Sequence, residues 1–143
     1  MKTFAVREIG FDSGHRVYGH ESKCATFHGH RYKAEIFCEV EEGGLDSLGR
    51  VIDFSVIKEK VGAWIDLEWD HAMIVWEKDP DLVHIEKCSG FKKPYVTKFN
   101  PTAENLAAFL LNTVCPNLLN GSGVKASRIV LWETPNCKVE VSC

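Results

Sequence analysis

The stretch from His28 to Val40, His-Gly-His-Arg-Tyr-Lys-Ala-Glu-Ile-Phe-Cys-Glu-Val, constrains this chain more than any other. Tyr32, Ala34, Ile36, Cys38 and Val40 alternate with Lys33, Glu35 and Glu39. That period of two is the pattern of a half-buried β-strand. His28 and His30 share the parity of the apolar side, so both imidazoles project toward the buried face. The glycine between them leaves no side chain on the other face. A third imidazole from a neighbouring strand would complete a three-histidine metal site with one position open, the arrangement that catalytic zinc takes. His15, upstream of Cys24 and the triplet, is the candidate.

The rest of the chain supplies layers for that strand. Phe4, Val6 and Ile9 suggest a first strand over residues 3–9. Phe54, Ile57, Val61, Trp64 and Ile65 recur at helical spacing after Asp53, an expected N-cap, which places an amphipathic helix over 54–66. A second helix starts near Thr102, buries Leu106, Leu110 and Val114, and is expected to stop at Pro116. Residues 127–133 and 137–142 read as two strands joined by a turn at Thr134-Pro135-Asn136. Strands, two helices and strands again make an α+β domain with both helices on one sheet face. Residues 72–99 show no readable period and suggest a long excursion of the kind that carries function. No linker or repeat divides the chain, so 1–143 reads as a single domain.

Composition narrows the function classes. Seventeen basic against twenty acidic residues give a formal charge of −3, which offers no general attraction for nucleic acid or anionic membrane. No apolar run approaches the ~20 residues of a membrane span, and charge appears too early for a signal peptide. The cytoplasm is the expected compartment. Six irregularly spaced cysteines, with no CxxC pair, then read as reduced thiols rather than as a disulfide or zinc-ribbon framework.

Four groups carry chemistry. His15, His28 and His30 are the candidate zinc ligands; His20 reads as an ordinary histidine, exposed or satisfied in the core. Cys24 stands four residues before His28 and could be a reactive thiol, a fourth ligand that closes the site, or a buried loop residue. Asp70-His71 offers a carboxylate–imidazole proton shuttle, or simply an exposed pair. Glu133, at the end of a predicted strand, is suited to grip a ring bearing adjacent N–H donors, although an exposed turn residue would look the same. Thr102 and Glu104 are ambiguous in the same way, since a helix N-cap and a first-turn acid explain both.

Taken together, Phe11-Asp12-Ser13-Gly14-His15-Arg16, Cys24-x3-His28-Gly29-His30, Val51-Ile52-Asp53-Phe54, Asp70-His71, Pro101-Thr102-Ala103-Glu104-Asn105 and Glu133-Thr134 follow the order seen in the 6-pyruvoyltetrahydropterin synthase superfamily, which the chain resembles. Most similar is its 6-carboxytetrahydropterin synthase branch of queuosine biosynthesis. The resemblance implies the tunnelling fold, an antiparallel sheet with two helices on one face, oligomerising into a barrel and stacking as a homo-hexamer of two trimers. It implies Zn2+ on His15, His28 and His30, Cys24 as catalytic thiol, and Asp70 and His71 as acid–base partners from a neighbouring subunit. It also implies pterin binding by Glu133, with Thr102 and Glu104 in the recognition segment. The implied activity is a zinc-dependent lyase reaction on 7,8-dihydroneopterin triphosphate that yields 6-carboxy-5,6,7,8-tetrahydropterin, acetaldehyde and triphosphate. Elimination of triphosphate to the 6-pyruvoyl product is the rival within the family. A zinc- and pterin-binding oligomer without turnover, or a cysteine hydrolase using Cys24 and His71, are rivals outside it.

Overall fold

Strands β1 (Ala5–His15) and β2 (His28–Val40) form the spine of the computed structural model, which describes residues 1–88, 90 and 92–143. They pair antiparallel from Ala5 opposite Cys38 to His15 opposite His28. The first strand therefore starts and ends later than the expected 3–9. Gly10, Asp12 and Gly14 are poor strand formers, but an unbroken ladder with β2 overrides local propensity. Gly14 has a packing role there, because a Cβ at that position would collide with Met73 Sδ.

Helix α1 spans 54–68 as three contiguous segments, Phe54–Ile57, a wider π turn over Lys58–Gly62, and Ala63–Glu68. Asp53 caps it, accepting from the Ser55 N–H. Strand β3 (Ala72–Trp76), the short exposed helix α2 (Leu82–Lys87) and β4 (Tyr95–Thr97) occupy the segment that the sequence left unread. Residues 89 and 91 of that segment lie outside the described residues. Helix α3 spans 103–119 through Ala103–Phe109, Leu110–Val114 and Cys115–Leu119. It does not stop at Pro116. A π turn over Leu110–Val114 loosens the hydrogen-bond register immediately upstream, so the missing proline N–H is tolerated inside the helix. Strands β5 (Val124–Thr134) and β6 (Cys137–Ser142) complete the chain.

The sheet order is β4-β3-β1-β2-β5-β6. It is mixed rather than antiparallel, since β3 pairs parallel with both β1 and β4. The correction comes from residues 72–99, whose two short strands enter the sheet edge with the same direction as β1. The described residues also hold three helices rather than two, and α2 buries no residue. The two long helices cover one face, as expected. Phe11, Tyr32, Ile36, Ile57, Ile65, Trp69, Leu106, Leu110, Ile129 and Leu131 are fully enclosed between them and the sheet. Near the β1 end of this core, Trp69 packs with Phe11, Trp64, Tyr95 and Phe109 at centroid distances of 5.2–6.3 Å. No helix among the described residues is long and apolar enough to cross a membrane.

Candidate metal centre and active site

The β1–β2 ladder sets His15 directly opposite His28, with His30 one pleat along on the same face. Ligand atoms of His15, His28 and His30 all lie within 4.8 Å of one another. Two of the rings, His15 and His28, are aimed by their other nitrogen. His15 Nδ1 donates to the Pro101 carbonyl at 2.7 Å, and His28 Nδ1 donates to the Thr26 carbonyl at 2.6 Å. Both Nε2 lone pairs are thereby turned inward. His28 Nε2 and His30 Nε2 stand 3.0 Å apart.

His15 is 1% exposed, and its Nε2 is buried without a hydrogen-bond partner. A buried polar atom in that state is costly unless something binds it. Burial pushes the His15 imidazole down to about 4, although its bond to Pro101 pulls the other way. His30 is lowered as well, chiefly by burial, with Glu133 opposing and the His28 ring adding to the shift. Such rings keep their lone pairs at neutral pH. Three converging imidazole nitrogens with an open side fit zinc, whose Zn–N distances are about 2.0–2.1 Å, and the carbonyls behind His15 and His28 supply the outer-shell orientation that metal-ligating histidines need.

Glu133 borders the same centre. Its carboxylate oxygens lie 3.5 Å from His30 Nε2 and 3.9 Å from His15 Nε2. The β5–β6 register shifts between Trp132 and Thr134, so Glu133 is the unpaired residue of a bulge. Its parity with the buried Ile129 and Leu131 puts its side chain on the face that carries the histidines. Tyr32 is a site neighbour that the sequence analysis does not single out. Its hydroxyl is 3.3 Å from His15 Nδ1, and its ring packs edge-on against His15 and His30. Its parity with His28 and His30 was the available signal.

Asp70 and His71 gather elsewhere, in a separate cluster with Asp12. His71 Nδ1 contacts Asp70 Oδ2 at 2.8 Å. The Asp12 N–H donates to Asp70 Oδ1 at 2.8 Å, and the His71 N–H donates to the Asp12 carbonyl at 2.6 Å. His71 adopts φ 61°, a left-handed conformation that is sparsely populated outside glycine and is held here by those bonds. Burial works against ionisation of Asp70, but the Asp12 N–H and the His71 ring outweigh it and hold the carboxyl below its usual range. The His71 side chain is 73% exposed. It faces a groove of about 660 Å³ whose lining includes Asp12, Gly14, Gly29, Arg31 and Met73 and also reaches His28 and His30. The first four of these have the opposite parity to the metal-site histidines.

Cys24 is half-buried on a single 3-10 turn, Lys23–Ala25, and stands outside both clusters. Thr102 caps α3, its hydroxyl accepting from the Asn105 N–H at 3.1 Å, one residue after the carbonyl that holds His15. Glu104 is exposed in the first turn of that helix. His20 contacts the Ser22 N–H through Nδ1 and takes no part in either cluster.

Residues 5–143 match the sequence model of the family described as 6-pyruvoyl tetrahydropterin synthase. A 6-carboxy-5,6,7,8-tetrahydropterin synthase of Rickettsia felis is 46% identical over 137 residues, covering 95% of this chain and 97% of that protein. The protein of the same name from Haemophilus influenzae is 34% identical, covering 90% and 91%. Among solved structures, an uncharacterized protein from Wolinella succinogenes superposes with a TM-score of 0.82 at 25% identity over 99% of this chain and 98% of its own. The 6-pyruvoyl tetrahydropterin synthase of Caenorhabditis elegans shares the fold, with a TM-score of 0.68 at 20% identity over 100% and 96%. Matched by the family model over residues 5–143 and by these relatives almost end to end, the chain belongs to the 6-pyruvoyl tetrahydropterin synthase family.

Proposed function

We propose that this chain is a 6-carboxy-5,6,7,8-tetrahydropterin synthase, a zinc-dependent lyase. It would act on 7,8-dihydroneopterin triphosphate and release acetaldehyde and triphosphate, in the biosynthesis of queuosine. The observation that carries the reading is the orphaned His15 Nε2, buried beside the inward-facing nitrogens of His28 and His30 with the Glu133 carboxylate at their edge. The names of the relatives at 34–46% identity direct the choice of product.

His15, His28 and His30 would hold zinc, which when bound polarises substrate oxygens as a Lewis acid. The chain's own groups do the rest. Glu133 accepts charge-assisted hydrogen bonds from the amino and ring N–H groups of the pterin, which orients the side chain to be cleaved. Cys24 takes a proton from that side chain as a thiolate. Asp70 holds the Nδ1–H of His71, so that Nε2 is the nitrogen that receives and returns protons. In the isolated chain this pair is not part of the histidine cluster. The reading therefore has a neighbouring subunit supply it, within a barrel-forming homo-hexamer of two trimers in the cytoplasm. Thr102 and Glu104 belong to the pterin-recognition segment in this reading, and Thr102 also caps its helix.

The test is mass spectrometry of the products formed from 7,8-dihydroneopterin triphosphate by zinc-loaded protein, with Cys24→Ala alongside. A 6-carboxy product with acetaldehyde, absent from the variant, is expected. A 6-pyruvoyl product would move the enzyme to the other branch of the family. Absence of turnover would leave a zinc- and pterin-binding protein.

A further inference from the structure

The chain from Arg16 to Phe27 leaves the sheet after one metal-site histidine, His15, and returns at the next, His28. Cys24 is carried on this loop, so where the thiol stands depends on what holds the loop. Besides the bond from the His28 ring to the Thr26 carbonyl, it is held by contacts that involve no metal-site histidine. The Val17 N–H donates to the Cys24 carbonyl at 2.8 Å, which closes the loop on itself. The Arg16 guanidinium lies 4.5 Å from the Phe27 ring centroid and 5.4 Å from that of Tyr18, so one side chain spans both feet of the loop.

That guanidinium is gripped in turn by the segment after β3. Arg16 Nε donates to Asp79 Oδ2 at 2.7 Å, Nη2 to Asp79 Oδ1, and Nη2 lies 2.9 Å from Asp81 Oδ2. Asp79 is only 5% exposed, and its own turn fixes it through the Trp76 carbonyl and the Asp81 N–H. On the opposite side Asn100 reaches the loop twice. Its Oδ1 accepts from the Tyr18 N–H at 3.1 Å, and its Nδ2 donates to the Tyr18 carbonyl at 2.9 Å. The Asn100 carbonyl accepts from Asn105 Nδ2 at 2.9 Å, and the next residue, Pro101, is the one that orients His15.

We propose that Asp79, acting through Arg16, and Asn100 are positioning residues that set the place of the Cys24 thiol relative to the metal centre. The proposal rests on Cys24 being the catalytic thiol. A bidentate, buried ion pair and a two-point amide clasp are directional contacts, unlike the apolar packing that would suffice to keep a loop folded. They tie the loop to the turn at 77–81 and to the segment 97–105, whose Pro101 carbonyl orients His15.

The test uses Asp79→Asn and Asn100→Ala in the zinc-loaded full chain, and reads four quantities. These are zinc content, KM and kcat with 7,8-dihydroneopterin triphosphate, and the rate at which iodoacetamide alkylates Cys24, followed by peptide mass spectrometry. Expected is a kcat about 10- to 100-fold lower, the scale of a misplaced reacting group. Zinc content and KM should hold, and Cys24 should alkylate several-fold faster. Unchanged kcat and unchanged alkylation in both variants would overturn the proposal. So would loss of zinc and helical circular dichroism in both, because these groups would then support the whole domain rather than the thiol. If one variant fails to fold, the other decides. If the unaltered protein shows no turnover, the functional reading fails, and the alkylation rates alone decide whether the clasp holds the thiol.

Discussion

Individual side chains here do work that neighbouring backbone makes possible. His15 is useful as a ligand because the Pro101 carbonyl takes its Nδ1–H and leaves Nε2 bare. His28→Ala removes one of three converging nitrogens, and the zinc that copurifies should fall to background by atomic absorption; a metal content equal to the unaltered protein would remove His28 from the ligand set. Glu133→Ala should chiefly weaken pterin binding. Losing hydrogen bonds to a charged acceptor, worth about 1.5–3 kcal/mol, corresponds to a roughly 10- to 100-fold rise in Kd by calorimetry. Asp79 sets a pH dependence. Burial opposes its ionisation, but the bidentate Arg16 contact wins and holds the carboxyl below its usual range. Its folded value thus lies under the unfolded one, near ~3.9. The stability it contributes is full above that unfolded value and is lost as pH falls through the folded one. Urea midpoints measured between pH 6 and pH 2 should therefore fall more steeply for the unaltered protein than for Asp79→Asn; parallel curves would contradict the assignment.

At the level of elements, the strand ends and helix starts carry the site. The N-terminus of α3 has two duties, since Thr102 caps it while Pro101 orients His15. Thr102→Ala should cost about 1 kcal/mol in urea unfolding, whereas Thr102→Ser, which keeps the capping oxygen, should cost little. If Thr102 also meets the pterin, KM rises in the alanine variant beyond what stability explains. The alternation of residues 28–40 made β2 legible over its full length, and with it the common direction of His28 and His30. The 54–66 periodicity found α1 to within two residues. What escaped were features with no local period. β1 runs through two glycines because β2 is there to pair with it, and α3 passes Pro116 on a π turn.

For the whole molecule, the separation of the Asp70–His71 pair from the histidine cluster is the feature with the widest consequence. If sites are shared between subunits, mixing Cys24→Ala with His71→Ala under exchange conditions should restore part of the activity that each lacks alone. No recovery, with subunit exchange verified by native mass spectrometry, would place thiol and dyad in one chain. The aromatic cluster around Trp69 holds the dyad's base, because Trp69 directly precedes Asp70 and its carbonyl accepts from Ser13 Oγ at 2.9 Å. By itself the sequence determined which residues could carry chemistry and which faces they share. Side-chain type and a period of two or 3.6 are local properties, readable wherever the chain alternates. Only the tertiary structure decided the mixed sheet, the hydrogen bonds that bare the histidine nitrogens, and the clasp on the Cys24 loop. The Ser13–Trp69, His15–Pro101, Arg16–Asp79 and Tyr18–Asn100 contacts join residues 56 to 86 positions apart, and no local period records which distant partner satisfies a polar group.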